Sequence, residues 1–470
     1  MKTAFFEIGY LASQKLALLR NLVFITFLLL SHFNIFGQSL KPEATIIINV
    51  SLIDGTGTPP LKNMAVLFED GRFTQILETE KVSIPNGTKI IDGKGKTMIP
   101  GIVGVHNHLH IPGNPFIGEI ATKLYLASGV TTIQTCGAAS PNKELELAEN
   151  IRNGQEIGPD IIPSGPYITG DKGNPNMIIP ENESQLRDTI DFWAGKGAKW
   201  FKVYRNTKTE DLKIIIDQAH KNGAKVTGHL CSITFKDATE LGIDAIEHGF
   251  NSLSDFRSGK KYNECGGDRD YIDSLSLEDN DLDQLLNLMV KNKVVLTSTL
   301  SIYEASISSR YSASIRGLDI MSDDFKNEHN IGKHRINIKN PDRQRENRLK
   351  RIMDFEYRFF RKGGILSAGV DAGRYVLPGF GDQRNYQLFI EAGFTPSEAV
   401  MIMTRNGALK LEIDEIGSIE VGKKANFLLL DGDLENDPQI IEKVLAVYKD
   451  GKFYDPEAIL KGIKGKYPLN

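Results

Sequence analysis

Short apolar runs alternate along the middle of this chain with longer stretches whose apolar positions recur every three to four residues. The first kind reads as buried parallel strands and the second as the helices that cover them. Strands are expected around His106 and over 130–135, 160–164, 199–204, 225–229, 245–248, 294–299 and 365–371. Helices are expected near 117–128, 143–153, 185–195 and 210–222, the last with Leu212, Ile215, Ile216 and Ala219 on one face. Eight such units in roughly 290 residues fit a (β/α)8 TIM barrel of the α/β class.

The two ends have another texture. Strand-like runs at 45–50, 64–68, 73–77 and 89–91 are punctuated by Asp54-Gly55, Asp70-Gly71 and Asp92-Gly93, and the same pattern returns at 426–430 and 444–448 with Asp431-Gly432 and Asp450-Gly451. Short strands broken by Asp-Gly turns indicate a β-layer. The expected division is therefore a small β-sandwich composed of 38–99 plus 412–470, beside a barrel over 100–411. Two polar, charged segments, 250–277 and 301–340, are too long to be plain connectors and are expected to form a lid or extra helices.

Residues 1–37 belong to neither part. Lys15 and Arg20 precede the apolar run Leu22–Leu30, and Gly37 stands before Gln38. This is the layout of a secretory signal peptide, so a secreted or periplasmic protein cut near Gly37/Gln38 is expected. The run is short for a membrane span, which leaves an uncleaved anchor as the lesser alternative and predicts no stable membrane insertion after cleavage. The whole chain carries a net charge of −4, and the leader takes Lys2, Lys15 and Arg20 with it against Glu7 alone. Nothing in that balance suggests nucleic acid as a partner. Three cysteines, Cys136, Cys231 and Cys265, exclude a disulfide-framed fold without deciding whether two of them pair.

The chemistry gathers at the C-terminal ends of the expected strands, where a barrel builds its active site. His106 and His108 share a parity on the first strand, and His110 shares it too, although Pro112-Gly113 places His110 in the loop. Lys202 ends the fourth strand, His229 the fifth, His248 the sixth and Asp371 the eighth. Each alone is adequately explained as a core histidine, a strand-end cation or a turn former. Together, four imidazoles and a carboxylate are ligands for one or two divalent ions. His220, at a helix end, and His329 and His334, in a charged loop, are assigned no role. Tyr204 and Arg205, just beyond Lys202, are candidate contacts for a substrate carboxylate, as is His110 for the pocket wall; Arg374 is a weaker candidate. Gly165-Pro-Tyr167 and Gly379-Phe-Gly381 read as loop hinges, since neither has the strand–glycine–helix context of a phosphate loop.

Met98-Ile-Pro-Gly-Ile-Val-Gly-Val-His-Asn-His108, Val226-Thr-Gly-His229, Ile246-Glu-His-Gly249 and Gly369-Val-Asp-Ala-Gly373 resemble the strand signatures of the amidohydrolase superfamily, in the imidazolonepropionase-like branch that includes prolidase-like and dipeptidase-like enzymes. The tail from Gly417 to Leu430 resembles that family's return into its β-sandwich. The resemblance implies that His106, His108 and Asp371 bind the more buried of two zinc ions and that His229 and His248 bind the outer one. It also implies that Lys202, following the bulky pair Trp200-Phe201, bridges both as a carbamate formed with carbon dioxide. A free ammonium beside two dications would be repelled, whereas a carbamate is an anionic bidentate donor. Gly104, where many relatives have Asp, and Asn107 and His110 depart from the pattern in the surroundings of the ligands.

The activity so implied is hydrolysis of an amide-type C–N bond, of a dipeptide or related small molecule, by a metal-activated hydroxide, with Asp371 moving the proton from water to the leaving amine. A homo-oligomer is compatible with this reading. The rivals are a mononuclear cyclic amidohydrolase or deaminase and a non-catalytic metal-binding periplasmic protein. A deaminase wants a glutamate near strands five or six as proton shuttle, and Glu247 adjoins His248 with opposite strand parity.

Overall fold

The computed structural model describes residues 44–111, 116–269, 271–310, 315–330, 342–373 and 376–469. The expected leader lies outside these, as do His334 and Arg374.

The two ends of the chain meet in one mixed sheet. Strands β1 (Thr45–Leu52), β2 (Leu61–Glu69), β3 (Arg72–Glu78), β4 (Lys89–Asp92) and β5 (Thr97–Pro100) come from the N-terminal side. They join the C-terminal strands Phe427–Leu430, Val444–Lys449 and Lys452–Tyr454, which follow the eight strands of the middle and are numbered β14, β15 and β16. The eight-stranded order is β16-β15-β14-β5-β1-β2-β3, with β4 on β1. The seam is antiparallel pairing of β14 with β5, from Phe427↔Pro100 to Leu430↔Thr97. Both Asp-Gly hairpin corners adopt positive φ at each residue (Asp70 50°, Gly71 76°; Asp450 50°, Gly451 72°), the backbone whose twist suits a two-residue hairpin. The sheet curls: Phe68 of β2 reaches Phe427 of β14 at 5.2 Å and Tyr448 of β15 at 5.3 Å although β1 and β5 lie between them in the order. A shared apolar cluster of Ile47, Val66, Phe68, Leu429 and Tyr448 lines the inside of that curl.

One residue after β5 the middle region begins with β6 (Ile102–Asn107), which pairs in parallel with β7 (Val130–Thr135), itself parallel to β8 (Asp160–Ile162). A second parallel sheet runs β9 (Trp200–Val203), β10 (Lys225–Gly228), β11 (Ala245–Glu247), β12 (Val295–Ser298) and β13 (Leu366–Ala368) in chain order. A parallel bridge between Ser164 and Trp200 joins the first sheet to the second, and at the far side Asp371 N donates to His106 O at 2.9 Å. Gly369 makes that approach sterically feasible, since a Cβ there would overlap the backbone nitrogen and Cβ of His106.

Helices follow the strands as the periodicity expects, at Gly118–Ala127, Pro141–Arg152, Glu183–Gly195 and Thr209–Lys221. The last buries Leu212, Ile215, Ile216 and Ala219, with Glu210 and Asp211 in its first turn and Lys221 in its last, each charge complementing the helix dipole. The strands are shorter than expected, and His229, His248 and Asp371 all stand just past strand ends. Of the two inserts, the first contains a 3-10 turn (Gly249–Ser252) and a short helix (Tyr271–Ser274), and the second contains the helices Leu300–Glu304 and Ile315–Ile320. A disulfide joins Cys231 to Cys265, 34 residues apart, and ties the first insert to the chain two residues beyond His229. Cys136 is free and buried.

Candidate functional site

His106, on β6, is wholly buried, with its two ring nitrogens facing different partners. Nδ1 lies 2.6 Å from Glu247 Oε2, while Nε2 lies 3.1 Å from Lys202 Nζ and 3.5 Å from Asp371 Oδ1. His108 Nε2 approaches the same Asp371 oxygen at 3.0 Å, and its Nδ1 lies 3.1 Å from the hydroxyl of Tyr167. One carboxylate oxygen therefore sits between two imidazole nitrogens two residues apart on one strand end.

His229 and His248 form the other half. Their rings are 4.3 Å apart, His248 is 4.5 Å from the His106 ring, and Tyr204 packs on His229 at 4.9 Å. His248 Nδ1 lies 3.1 Å from Thr299 Oγ1 and 3.8 Å from Asp371 Oδ2. All six side chains named from the sequence as ligands (His106, His108, Lys202, His229, His248 and Asp371) thus converge at one end of the two parallel sheets.

Burial sets the charge states. It pushes His108 down to about 4, helped by the Lys202 charge and opposed by Asp371, and pushes His110 down to about 3, helped by His108 and Lys202. His229 and His248 are held well below the usual imidazole range, first by burial and then, for His229, by the Lys202 charge and, for His248, by the proximity of the His229 and His106 rings. Burial would raise Asp371, but the His106 charge and hydrogen bonds from His106 and His108 outweigh it and keep the carboxyl well below its ordinary range. His108, His229 and His248, held neutral, with an ionised Asp371 are donors that suit a divalent-cation site, while burial of His106 is overcome by the charges of Cys136, Glu247 and Asp371, which raise it above the usual imidazole range. Two groups of donor atoms lie within 4.8 Å of one another, His106 with His248 and Asp371, and His106 with Cys136 and Glu247. The second is already engaged: Glu247 Oε1 accepts from Lys410 Nζ at 2.9 Å and from the Thr227 hydroxyl, and Oε2 faces His106.

Glu247 corrects the parity argument. Strand alternation should turn it away from His248, yet both enter the site, because His248 lies past the end of β11 in the left-handed conformation (φ 70°). Tyr167 also exceeds its expected role as part of a hinge, being buried between His108 and His110, whose Nε2 is 3.5 Å from its hydroxyl. Lys410 carries no signal in the sequence, where it is one lysine in a short helix. Tyr204 is half-buried beside Tyr167 and His229, whereas Arg205 is exposed and donates from Nη2 to Cys265 Sγ at 3.6 Å. His220 stays outside the site, paired with Asp244 at 2.8 Å.

The family model described as "Amidohydrolase family" matches residues 365–454, the stretch that runs from β13 and Asp371 back into the terminal sheet. Within those residues the chain is similar to the amidohydrolase family. The chain superposes on the crystal structure of a putative prolidase from Bifidobacterium longum with a TM-score of 0.66 at 24% identity, over 90% of this chain and 99% of that one. The shared fold is TIM-barrel-like α/β. Among curated sequences it is 26% identical over 223 residues to an uncharacterised protein of Mycobacterium bovis, spanning 43% of this chain and 56% of that protein. It is also 34% identical over 120 residues to a dihydroorotase of Elusimicrobium minutum, spanning 25% of each. The chain thus spans about half the length of the first of these relatives and a quarter of the second.

Proposed function

We propose that the protein is a metal-dependent hydrolase that cleaves an amide-type C–N bond in a small molecule, a dipeptide or a close analogue. The observation that carries this is the convergence of His106 and His108 on one oxygen of Asp371, with His229, His248 and Lys202 around it.

The residues fit one or two divalent ions. His106, His108 and Asp371 would hold the inner ion, and His229 and His248 the outer. Lys202 is wholly buried among them, and among the described residues no carboxylate lies within ion-pair distance of its ammonium. Carboxylation by carbon dioxide would turn that buried cation into an anionic bridge. Bound zinc would supply Lewis acidity toward a carbonyl oxygen and acidify a water. The chain's own part is then proton handling and orientation. Asp371 Oδ2, the oxygen not held by His108, takes the proton of the attacking water and returns it to the leaving nitrogen, so that water and amide become acid and amine. Tyr167, Tyr204 and His110 wall the pocket, and Arg205 at the rim supplies the charge for a substrate carboxylate.

In this reading residues 100–411 form a closed (β/α)8 barrel, 38–99 with 412–470 a β-sandwich, and 1–37 a leader removed on export. The Cys231–Cys265 bridge suits an oxidising compartment. No helix among the described residues is long and apolar enough to cross a membrane. The dihydroorotase likeness favours a cyclic amide as the second reading. A deaminase is less well served, since both oxygens of Glu247 are engaged, Oε1 by Lys410 and Thr227 and Oε2 by His106.

The test is elemental analysis of protein produced with zinc and bicarbonate, followed by a screen of dipeptides and cyclic amides. Close to two ions per chain with dipeptide turnover is the expected result. One ion, indifferent to Lys202→Ala, with turnover of cyclic amides alone, would replace it by the second reading.

A further inference from the structure

Beneath His106 lies a buried ion pair that the proton transfers above do not use. Lys410, on the helix Arg405–Leu411, and Glu247, at the end of β11, have side chains fully shut off from solvent. Lys410 Nζ donates to Glu247 Oε1 at 2.9 Å, to Thr297 Oγ1 at 2.9 Å and to Val105 O at 3.2 Å, and it sits 5.2 Å over the Trp200 ring. An ammonium has three N–H donors, so all are spent. Oε1 of Glu247 also accepts the Thr227 hydroxyl, which leaves Oε2 for His106 Nδ1 at 2.6 Å. A buried ion pair is seldom more stabilising than an apolar pair of the same volume, so stability alone does not account for this one.

The arrangement dictates a proton position. An ionised carboxylate only accepts hydrogen bonds, so the nitrogen that faces it must carry hydrogen. A neutral His106 then has its lone pair on Nε2, the nitrogen facing Asp371 Oδ1 and Lys202 Nζ. Lys410 decides which way round Glu247 is used, because its charge and the Thr227 hydroxyl claim Oε1 and only Oε2 can face the imidazole.

We propose that Lys410, acting through Glu247, is a positioning residue that locks His106 in the Nδ1–H tautomer and so presents its Nε2 lone pair to a divalent cation. The part that concerns the cation rests on the metal-site reading above; the tautomer lock does not.

Glu247→Gln separates this role from a merely structural one. The amide has nearly the carboxylate's shape, but Lys410 and Thr227 would claim its oxygen and leave its NH2 facing Nδ1, which must then accept. The proton would move to Nε2 and block the donor. In the double variant Glu247→Gln/Lys410→Met the amide is released to turn its oxygen toward Nδ1, and the original tautomer should return. The experiment records nitrogen–proton correlations of the imidazoles in metal-free, 15N-histidine-labelled protein, with His106 assigned by its loss in His106→Gln, and titrates zinc against a chromophoric chelator. Expected are Nδ1–H in the wild type, Nε2–H with zinc affinity lowered about 10–100-fold in Glu247→Gln, and recovery of both in the double variant. An Nε2–H tautomer in the wild type would overturn the proposal, and this needs no variant to fold. So would a Glu247→Gln protein that keeps Nδ1–H and binds zinc as the wild type does. A wild type that holds Nδ1–H but takes up no zinc would support the tautomer lock and sink the metal-site reading instead.

Discussion

Asp371 is the residue on which the proposed chemistry turns. Asp371→Asn keeps an oxygen for His108 but removes the group that moves the proton, so zinc content should hold while kcat falls by about two to four orders of magnitude. Steady-state kinetics on protein of known metal content would decide it, and unchanged turnover would remove Asp371 from the mechanism. A second titration lies away from the site. Burial raises the Glu144 carboxyl to about 8, with the Thr135 hydroxyl only partly opposing. A carboxyl whose folded value exceeds its unfolded one stabilises the fold fully below the unfolded value, near 4.5, and loses that contribution as pH rises through about 8. Glu144→Gln should therefore flatten the decline in stability between pH 4.5 and 8 and leave the variant more stable than the wild type above it, by up to a few kcal/mol. Urea unfolding at pH 5 and pH 9 reads the sign; a variant less stable at pH 9 would refute it.

At the scale of elements, the helices and most strands were legible because their signals are local. The strand at Val130–Thr135 and the helix at Gly118–Ala127 lie within a residue of where apolar periodicity puts them. Strand ends were less legible, and with them the facing of Glu247, because one left-handed residue at His248 breaks the alternation on which parity depends. Two elements carry their own predictions. Gly369→Ala drives a Cβ into the backbone of His106, so it should cost about 3 kcal/mol or more or abolish folding, read by chemical denaturation. Cys265→Ser frees the first insert by opening a loop whose ends are 34 residues apart and should cost about 3 kcal/mol in the same measurement. A change well under 1 kcal/mol would mean that the insert is held by other contacts.

For the whole molecule, the outcome depends on both ends of the chain closing one sheet beside the site. β5 pairs with β14 from the far end of the chain and leads directly into β6 and His106, so stability in the terminal sheet and order in the site are expected to be coupled. Ions bound only by the folded state add stability by mass action. Stripping the protein with a chelator should lower Tm by several degrees and abolish turnover, and zinc should restore both; a Tm indifferent to chelator and to added zinc would count against a resident ion. The sequence by itself determined the alternation of strand and helix, the matching texture of the two ends, and which strand ends bear imidazole, amine and carboxylate groups, since each is written in local periodicity, turn residues and side-chain type. Only the tertiary structure decided that Cys231 pairs with Cys265, that Tyr167 sits between His108 and His110, and that Lys410 reaches Glu247 across 163 positions. Those contacts depend on how strands are registered and how helices pack against their ends, which no single stretch of sequence encodes.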